Sequence, residues 1–171
     1  MPQKMPYPPV SWAILRGTIL RLALYQPDIP QNAGSLMRLC ACLGVAMDII
    51  EPCGFLLTDR NFRRAGMDYR DGTDLTRHPS WEAYRAQATG RLLLLTTRAA
   101  RPYADFAFQT SDTLILGRES AGVPESVHKA VHERLLIPMR PGMRSINVAQ
   151  AAAMVLGEGL RQTGAFPGAS A

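Results

Sequence analysis

Two stretches of this chain carry the residue types from which a ligand cradle can be built. One is Gly117-Arg-Glu-Ser-Ala-Gly-Val-Pro124; the other runs from Ile137-Pro-Met139 to Arg144-Ser-Ile-Asn147, at the mouth of an alanine-rich segment. Each follows a short apolar run, Asp112 to Leu116 and Arg134 to Ile137, and ligands of parallel α/β sheets bind outside the carboxyl ends of the strands. Gly117, lacking a Cβ, admits close approach to the main chain, although Gly117 and Gly122 could serve only as turn residues. Glu119 could bind an amide or pair with an arginine. Ser145 and Asn147 stand where a helix should begin, a place where such side chains commonly cap. Arg38, between Leu36 and Leu39, falls on the polar face of a helix that opens near Asn32.

These residues need a scaffold, and the pattern supplies one. Apolar strand-like runs recur at Ile19–Tyr25, Val45–Ile50, Arg91–Thr96, Thr113–Leu116 and Arg134–Ile137, with helical patterns between them. The first helix is expected from Asn32, as N-cap, to Gly44, a natural C′ residue. Its Leu36, Leu39, Cys40 and Leu43 repeat at helical spacing and should face the sheet. A second starts at Ser80 with Trp81 and Tyr84, a third is short and runs from Pro124 through Ala130, and the last spans about Asn147 to Gln162. Alternating strand and helix predicts an α/β fold, a mostly parallel sheet with helices on both faces.

Composition narrows the function. A chain of 171 residues with 47% hydrophobic content suits one domain, expected over 19–162, with residues 1–18 a flexible extension and 163–171 a tail. No apolar run reaches the roughly 20 residues of a membrane helix. Cys40, Cys42 and Cys53 form no Cys-x-x-Cys pair and are odd in number, which points to a reducing cytoplasm and away from a disulfide framework or a metal site. His128 and His132, four apart, lack the glutamate of a zinc-protease helix and are expected to be exposed, while His78, before Pro79, is expected in a loop. Neither a Gly-x-Gly-x-x-Gly nor a Walker lysine motif occurs, so nicotinamide and nucleoside-triphosphate chemistry lose their usual support. Nineteen basic against 14 acidic residues give a formal charge of +5, which suits a polyanion. Arg60, Arg63, Arg64, Arg70 and Arg77 crowd one segment, interleaved with Phe62 and Tyr69.

Five ordered blocks, from about Leu20 to Gln162, resemble the SPOUT class of RNA methyltransferases, in its 2′-O-methylating branch. They are Ile29-Pro-Gln-Asn-Ala-Gly34 with Arg38, Ile50-Glu-Pro-Cys-Gly-Phe55, Arg63-Arg-Ala-Gly-Met-Asp-Tyr69, and the two loops described above. The likeness is greatest to short, single-domain enzymes that methylate the ribose of the tRNA wobble nucleotide, cytidine or uridine at position 34. The resemblance implies a deep carboxyl-terminal trefoil knot, a homodimer, tRNA as partner and S-adenosyl-L-methionine as cofactor, without a metal. It places the cofactor against Leu95, Thr96, Gly117, Gly122, Ile137, Met139 and Ser145. It gives catalytic roles to Arg38, Asn32, Glu119, Ser145 and Asn147, and RNA contacts to Arg38, Arg63, Arg64 and Tyr69. A guanidinium is a poor proton acceptor at neutral pH, so Arg38 is expected to clamp phosphate and polarise the hydroxyl.

The chain departs from the family pattern at Ser35, Ala121, Ala149 and Gly157, which stand where the family commonly has Asn, Arg, Ser and Tyr. The competing readings are a 2′-O-methyltransferase for another tRNA or rRNA site, and a noncatalytic RNA-binding SPOUT protein.

Overall fold

The computed structural model describes residues 20–56 and 74–168. Seven strands form one sheet: β1 Arg21–Tyr25, β2 Ala46–Ile50, β3 Leu75–His78, β4 Leu92–Leu95, β5 Arg101–Pro102, β6 Thr113–Leu116 and β7 Glu133–Leu136. Their order is β3-β2-β1-β6-β4-β7-β5, and every strand pairing among the described residues is parallel. The central strands are continuous apolar runs such as Leu92-Leu-Leu-Leu95, because helices cover both faces.

Helices α1 (Pro30–Leu43) and α4 (Val148–Thr163) lie on one face, over a core that includes Leu22, Leu36, Met37, Cys40, Val155 and Leu160. Helices α2 (Trp81–Gln87) and α3 (Glu125–Ala130) lie on the other, over Ala23, Tyr25, Ile115 and Val127. The expected apolar stripe of α1 is present: Leu36 and Cys40 are buried, and Leu39 and Leu43 pack against the core. Burial pushes the Cys40 thiol up to about 12, whereas Cys42, two residues on, is exposed. Gly44 ends α1 in the left-handed conformation (φ 66°), as glycine readily does. Ser80 caps α2, accepting a hydrogen bond from Ala83 N.

Three expectations need correction. Asn32 does not cap α1: the helix opens two residues earlier at Pro30, with Ile29 in the cap position and no side-chain cap. Proline suits a first turn, where the missing N–H is not needed, and this releases the Asn32 side chain. His78 is not a loop residue. It ends β3, is 5% exposed, and its Nε2 lies 2.9 Å from Asp48 Oδ1, while Arg21 donates through Nε and Nη2 to the same carboxylate at 3.0 Å each. His128 is likewise buried rather than exposed, at 6% exposure on α3 next to Val127. Strands β3 and β5 were not legible as apolar runs: they lie at the two edges of the sheet and contain Thr76, Arg77, His78, Arg101 and Pro102.

The amino-terminal ends of the strands are tied by Arg21–Asp48 and by Arg91–Asp112, the latter at 2.7 and 2.8 Å with Asp112 fully buried. A carboxylate so buried is tolerable only when paired and hydrogen-bonded, and Asp112 Oδ2 also accepts from Gln109 N. The carboxyl-terminal ends, by contrast, open into loops.

Candidate active site

Strands β1, β6, β4 and β7 stand side by side, and the loops at their carboxyl ends enclose a cavity of about 390 Å³. Such a volume lies within the range of small-molecule sites, about 300–1,000 Å³. The β4 loop brings Leu95, Thr96 and Thr97; the β6 loop brings Gly117, Arg118, Glu119 and Gly122; the β7 loop brings Ile137, Met139 and Ser145. Ile29 and Asn32 enter from the β1–α1 connection and Asn147 from the start of α4, while Leu94, Leu116 and Val123 add apolar wall. All seven residues expected at a cofactor therefore line one cavity, as do Asn32, Glu119 and Asn147.

The β6 loop is closed on itself. Arg118 N donates to Gly122 O at 3.0 Å and Gly122 N to Arg118 O at 2.8 Å. Gly122 is left-handed (φ 66°), and a Cβ on Gly117 would fall 2.8 Å from the carbonyl carbon of Gly122. The immediate need for Gly117 is thus the crossing of the loop over its own backbone. The shape of the cavity wall depends on that crossing.

A chain of hydrogen bonds joins three loops. Glu119 accepts through Oε1 from Asn32 Nδ2 and through Oε2 from Asp28 N, both at 3.1 Å. Glu119 N returns a bond to Asp28 Oδ1 at 3.1 Å, and Ser120 Oγ donates to Asp28 Oδ2. Asn32 Oδ1 accepts from Asn147 Nδ2 at 3.1 Å, while Asn147 Oδ1 caps α4 through Ala149 N and Gln150 N. Glu119 thus binds amides, one of the two options its position allowed. The neighbouring Glu119 carboxyl, then the Ser120 hydroxyl and the backbone amides of residues 119 and 120, hold Asp28 down to about 2 against the effect of burial. Burial, with Asp28 second, pushes Glu119 up. With both oxygens engaged, Glu119 is built to fix the loops; Asn32 and Asn147 are similarly occupied.

Ser145 is exposed at the cavity and Arg38 is exposed on α1, outside the cavity lining. Arg63, Arg64 and Tyr69, with Arg60, Phe62 and Arg70, lie outside the described residues, as do residues 1–18. Arg77 of the same basic segment is engaged with Glu51, to which its Nε donates at 2.7 Å. Sequence reasoning missed Asp28, whose carboxylate accepts from Glu119 N and Ser120 Oγ, and Arg118. The signal for Asp28 was its place between Pro27 and Pro30, which stiffen the β1–α1 loop. No group of three or more His, Cys, Asp or Glu side chains that could hold a metal occurs among the described residues. Nor is any described helix long and apolar enough to cross a membrane.

A parallel sheet under two helical layers, with a cavity drawn from the ends of four adjacent strands, defines a small-ligand-binding α/β protein. More particularly, the chain belongs to the SpoU rRNA methylase family, whose model matches residues 19–157. It is 63% identical over 148 residues to a tRNA (cytidine(34)-2′-O)-methyltransferase of Beijerinckia indica subsp. indica, covering 85% of this chain and 92% of the relative. A solved structure described for 2-OH methylation of C/U34 on tRNA superposes with a TM-score of 0.80 at 38% identity, over 85% of this chain and 96% of that one. The SpoU methyltransferase AviRb of Streptomyces viridochromogenes, solved with AdoMet, superposes with a TM-score of 0.74 at 25% identity, over 86% and 62% of the two chains. Family membership implies the carboxyl-terminal knot expected from the resemblance.

Proposed function

We propose that this protein transfers a methyl group from S-adenosylmethionine to the ribose 2′ oxygen of the wobble nucleotide of tRNA, cytidine or uridine 34, acting as a homodimer in the cytoplasm. The observation that carries the reading is the convergence of Leu95, Thr96, Gly117, Gly122, Ile137, Met139 and Ser145 on one cavity, joined through Asn32, Glu119 and Asn147 to the β1–α1 loop. The likeness in sequence to a cytidine-34 methyltransferase over 85% of the chain supports the substrate.

The cavity fits the cofactor in volume and in character, apolar walls with a few polar groups. Backbone groups at Leu95, Gly117 and Ile137 would hold the adenine, and Met139 and Ser145 would border the methionine end. When bound, the cofactor supplies an electrophilic methyl group. The protein supplies position: an in-line approach of two held reactants removes much of the entropic barrier. Arg38 would clamp the RNA phosphate beside the target and polarise its hydroxyl, since a guanidinium donates and does not accept. Asn32, tied to Glu119 and Asn147, would fix the start of the helix that carries Arg38.

The test is incubation of the purified protein with unmodified tRNA and S-adenosylmethionine, followed by nucleoside mass spectrometry. A 2′-O-methyl group at nucleotide 34 is expected, and its absence with folded, cofactor-binding protein would overturn the reading. Arg38→Ala should abolish transfer while keeping cofactor affinity. Arg38→Lys should restore little, because an ammonium lacks the planar fork; near-normal turnover with lysine would defeat the clamp.

A further inference from the structure

Arg118 is poorly satisfied for a side chain half sunk in a cavity wall. Its Nε is buried and makes no hydrogen bond among the described residues, and Asp28 Oδ2 is 3.7 Å away. Of its five N–H donors, the one hydrogen bond formed among the described residues is from Nη1 to Gln26 Oε1, at the long limit of 3.5 Å. Asp28 is already engaged by Glu119 N and Ser120 Oγ, so it does not need the guanidinium. Gln26 itself is held with φ 46°, the left-handed region that a non-glycine residue seldom adopts. Arg118 and Glu119 are the charged residues of the cavity lining among the described residues, and Glu119 is consumed by Asn32 and Asp28. Among the described residues the cavity therefore presents a single under-coordinated cation, at 36% side-chain exposure, on the side of the β1–α1 loop.

We infer that Arg118 is an RNA-contacting residue that binds an oxyanion, a phosphate flanking the target nucleotide, from the cavity side. A planar fork with free donors suits the two non-bridging oxygens of a phosphodiester. Its orientation favours phosphate over the cofactor's carboxylate: the guanidinium leans on Gln26 and Asp28, in the connection that leads into the helix carrying Arg38, whereas Met139 and Ser145 belong to the β7 loop. This rests on the RNA methyl-transfer reading, and methylation of nucleotide 34 by the parent protein tests that reading separately.

The experiment compares the parent with Arg118→Gln and Arg118→Lys. For Arg118→Gln, the KM for tRNA should rise about tenfold, and the slope of log affinity for tRNA against log salt should flatten by about one phosphate contact. The calorimetric affinity for S-adenosylhomocysteine should stay within about twofold of the parent, as expected when a lost contact belongs to the RNA. Arg118→Lys should retain the salt slope yet show a raised KM, so the inference remains testable if the glutamine variant does not fold. Weakened S-adenosylhomocysteine binding with an unchanged tRNA slope would overturn it in favour of the cofactor carboxylate. A folded variant with neither change, or a lysine variant with the parent's KM, would also overturn it.

Discussion

At the scale of single residues, the site is a set of side chains and glycines whose freedom has been removed. Gly117 illustrates it. Valine there would place a Cβ 2.8 Å from the Gly122 carbonyl carbon and 2.9 Å from its Cα, so the two reciprocal bonds between Arg118 and Gly122 could not both persist. Gly117→Val should weaken cofactor binding by about 2 kcal/mol or more, roughly thirtyfold, measured by calorimetry. Unchanged affinity in a folded variant would detach this loop from the cofactor. Asp28 offers a second handle. Its carboxyl is held at about 2, below its ordinary 3.8, so its ionised form stabilises the fold fully above about pH 4. That contribution fades as the pH falls toward 2. Glu119, pushed up, acts in the opposite sense: it favours the fold least once the pH has risen past its raised value. Asp28→Asn should therefore melt lower than the parent at neutral pH but lose less on acidification from pH 4 to 2. Parallel melting curves over that interval would show that Asp28 does not report on the loop.

At the scale of elements, α4 both closes the core and positions the site, and its cap links the two tasks. Asn147 uses Oδ1 on the amides of Ala149 and Gln150 and Nδ2 on Asn32. Asn147→Ala removes the cap, at about 1 kcal/mol, together with the tie to α1. Asn147→Asp keeps an acceptor for the helix but has no Nδ2 to donate. The aspartate variant should thus melt near the parent while its turnover falls with that of the alanine variant; full turnover would mean that the tie is dispensable. Much of this architecture was legible in the sequence. Thr113–Leu116 is a strand as predicted, and the α1 stripe, the Ser80 cap and the start of α4 follow from residue type. What escaped are contacts set by tertiary placement. Asn32 reads as a cap locally, but Pro30 opens the helix first and Glu119, 87 residues away, takes its amide. His78 reads as a loop residue beside Pro79, yet Asp48 on the neighbouring strand makes it a buried partner. Neither partner can be seen from local spacing.

At the scale of the whole molecule, the question is what lies against the outer face of α4. Two glycines in one helix interior cost about 1 kcal/mol each relative to alanine, and the structure separates their reasons. A Cβ on Gly159 would fall 2.9 Å from Leu20 Cδ1 and 3.4 Å from Phe108 Cδ1, so its bareness serves packing within the chain. A Cβ on Gly157 would meet nothing within 4 Å, and no contact with the described residues offsets its cost. Met154, one turn earlier, is 43% exposed, leaving a small apolar patch on that side of the helix. A second copy packed there would account for both residues, consistent with the proposed homodimer. Gly157→Leu should then weaken the dimer, seen as a shift toward monomer in sedimentation at micromolar concentration, with methyl transfer falling in step. Gly157→Ala should be mild, adding only a methyl group and restoring helix propensity. If the leucine variant remains fully dimeric and its denaturation midpoint rises, Gly157 faces solvent and the dimer must use another surface of the molecule.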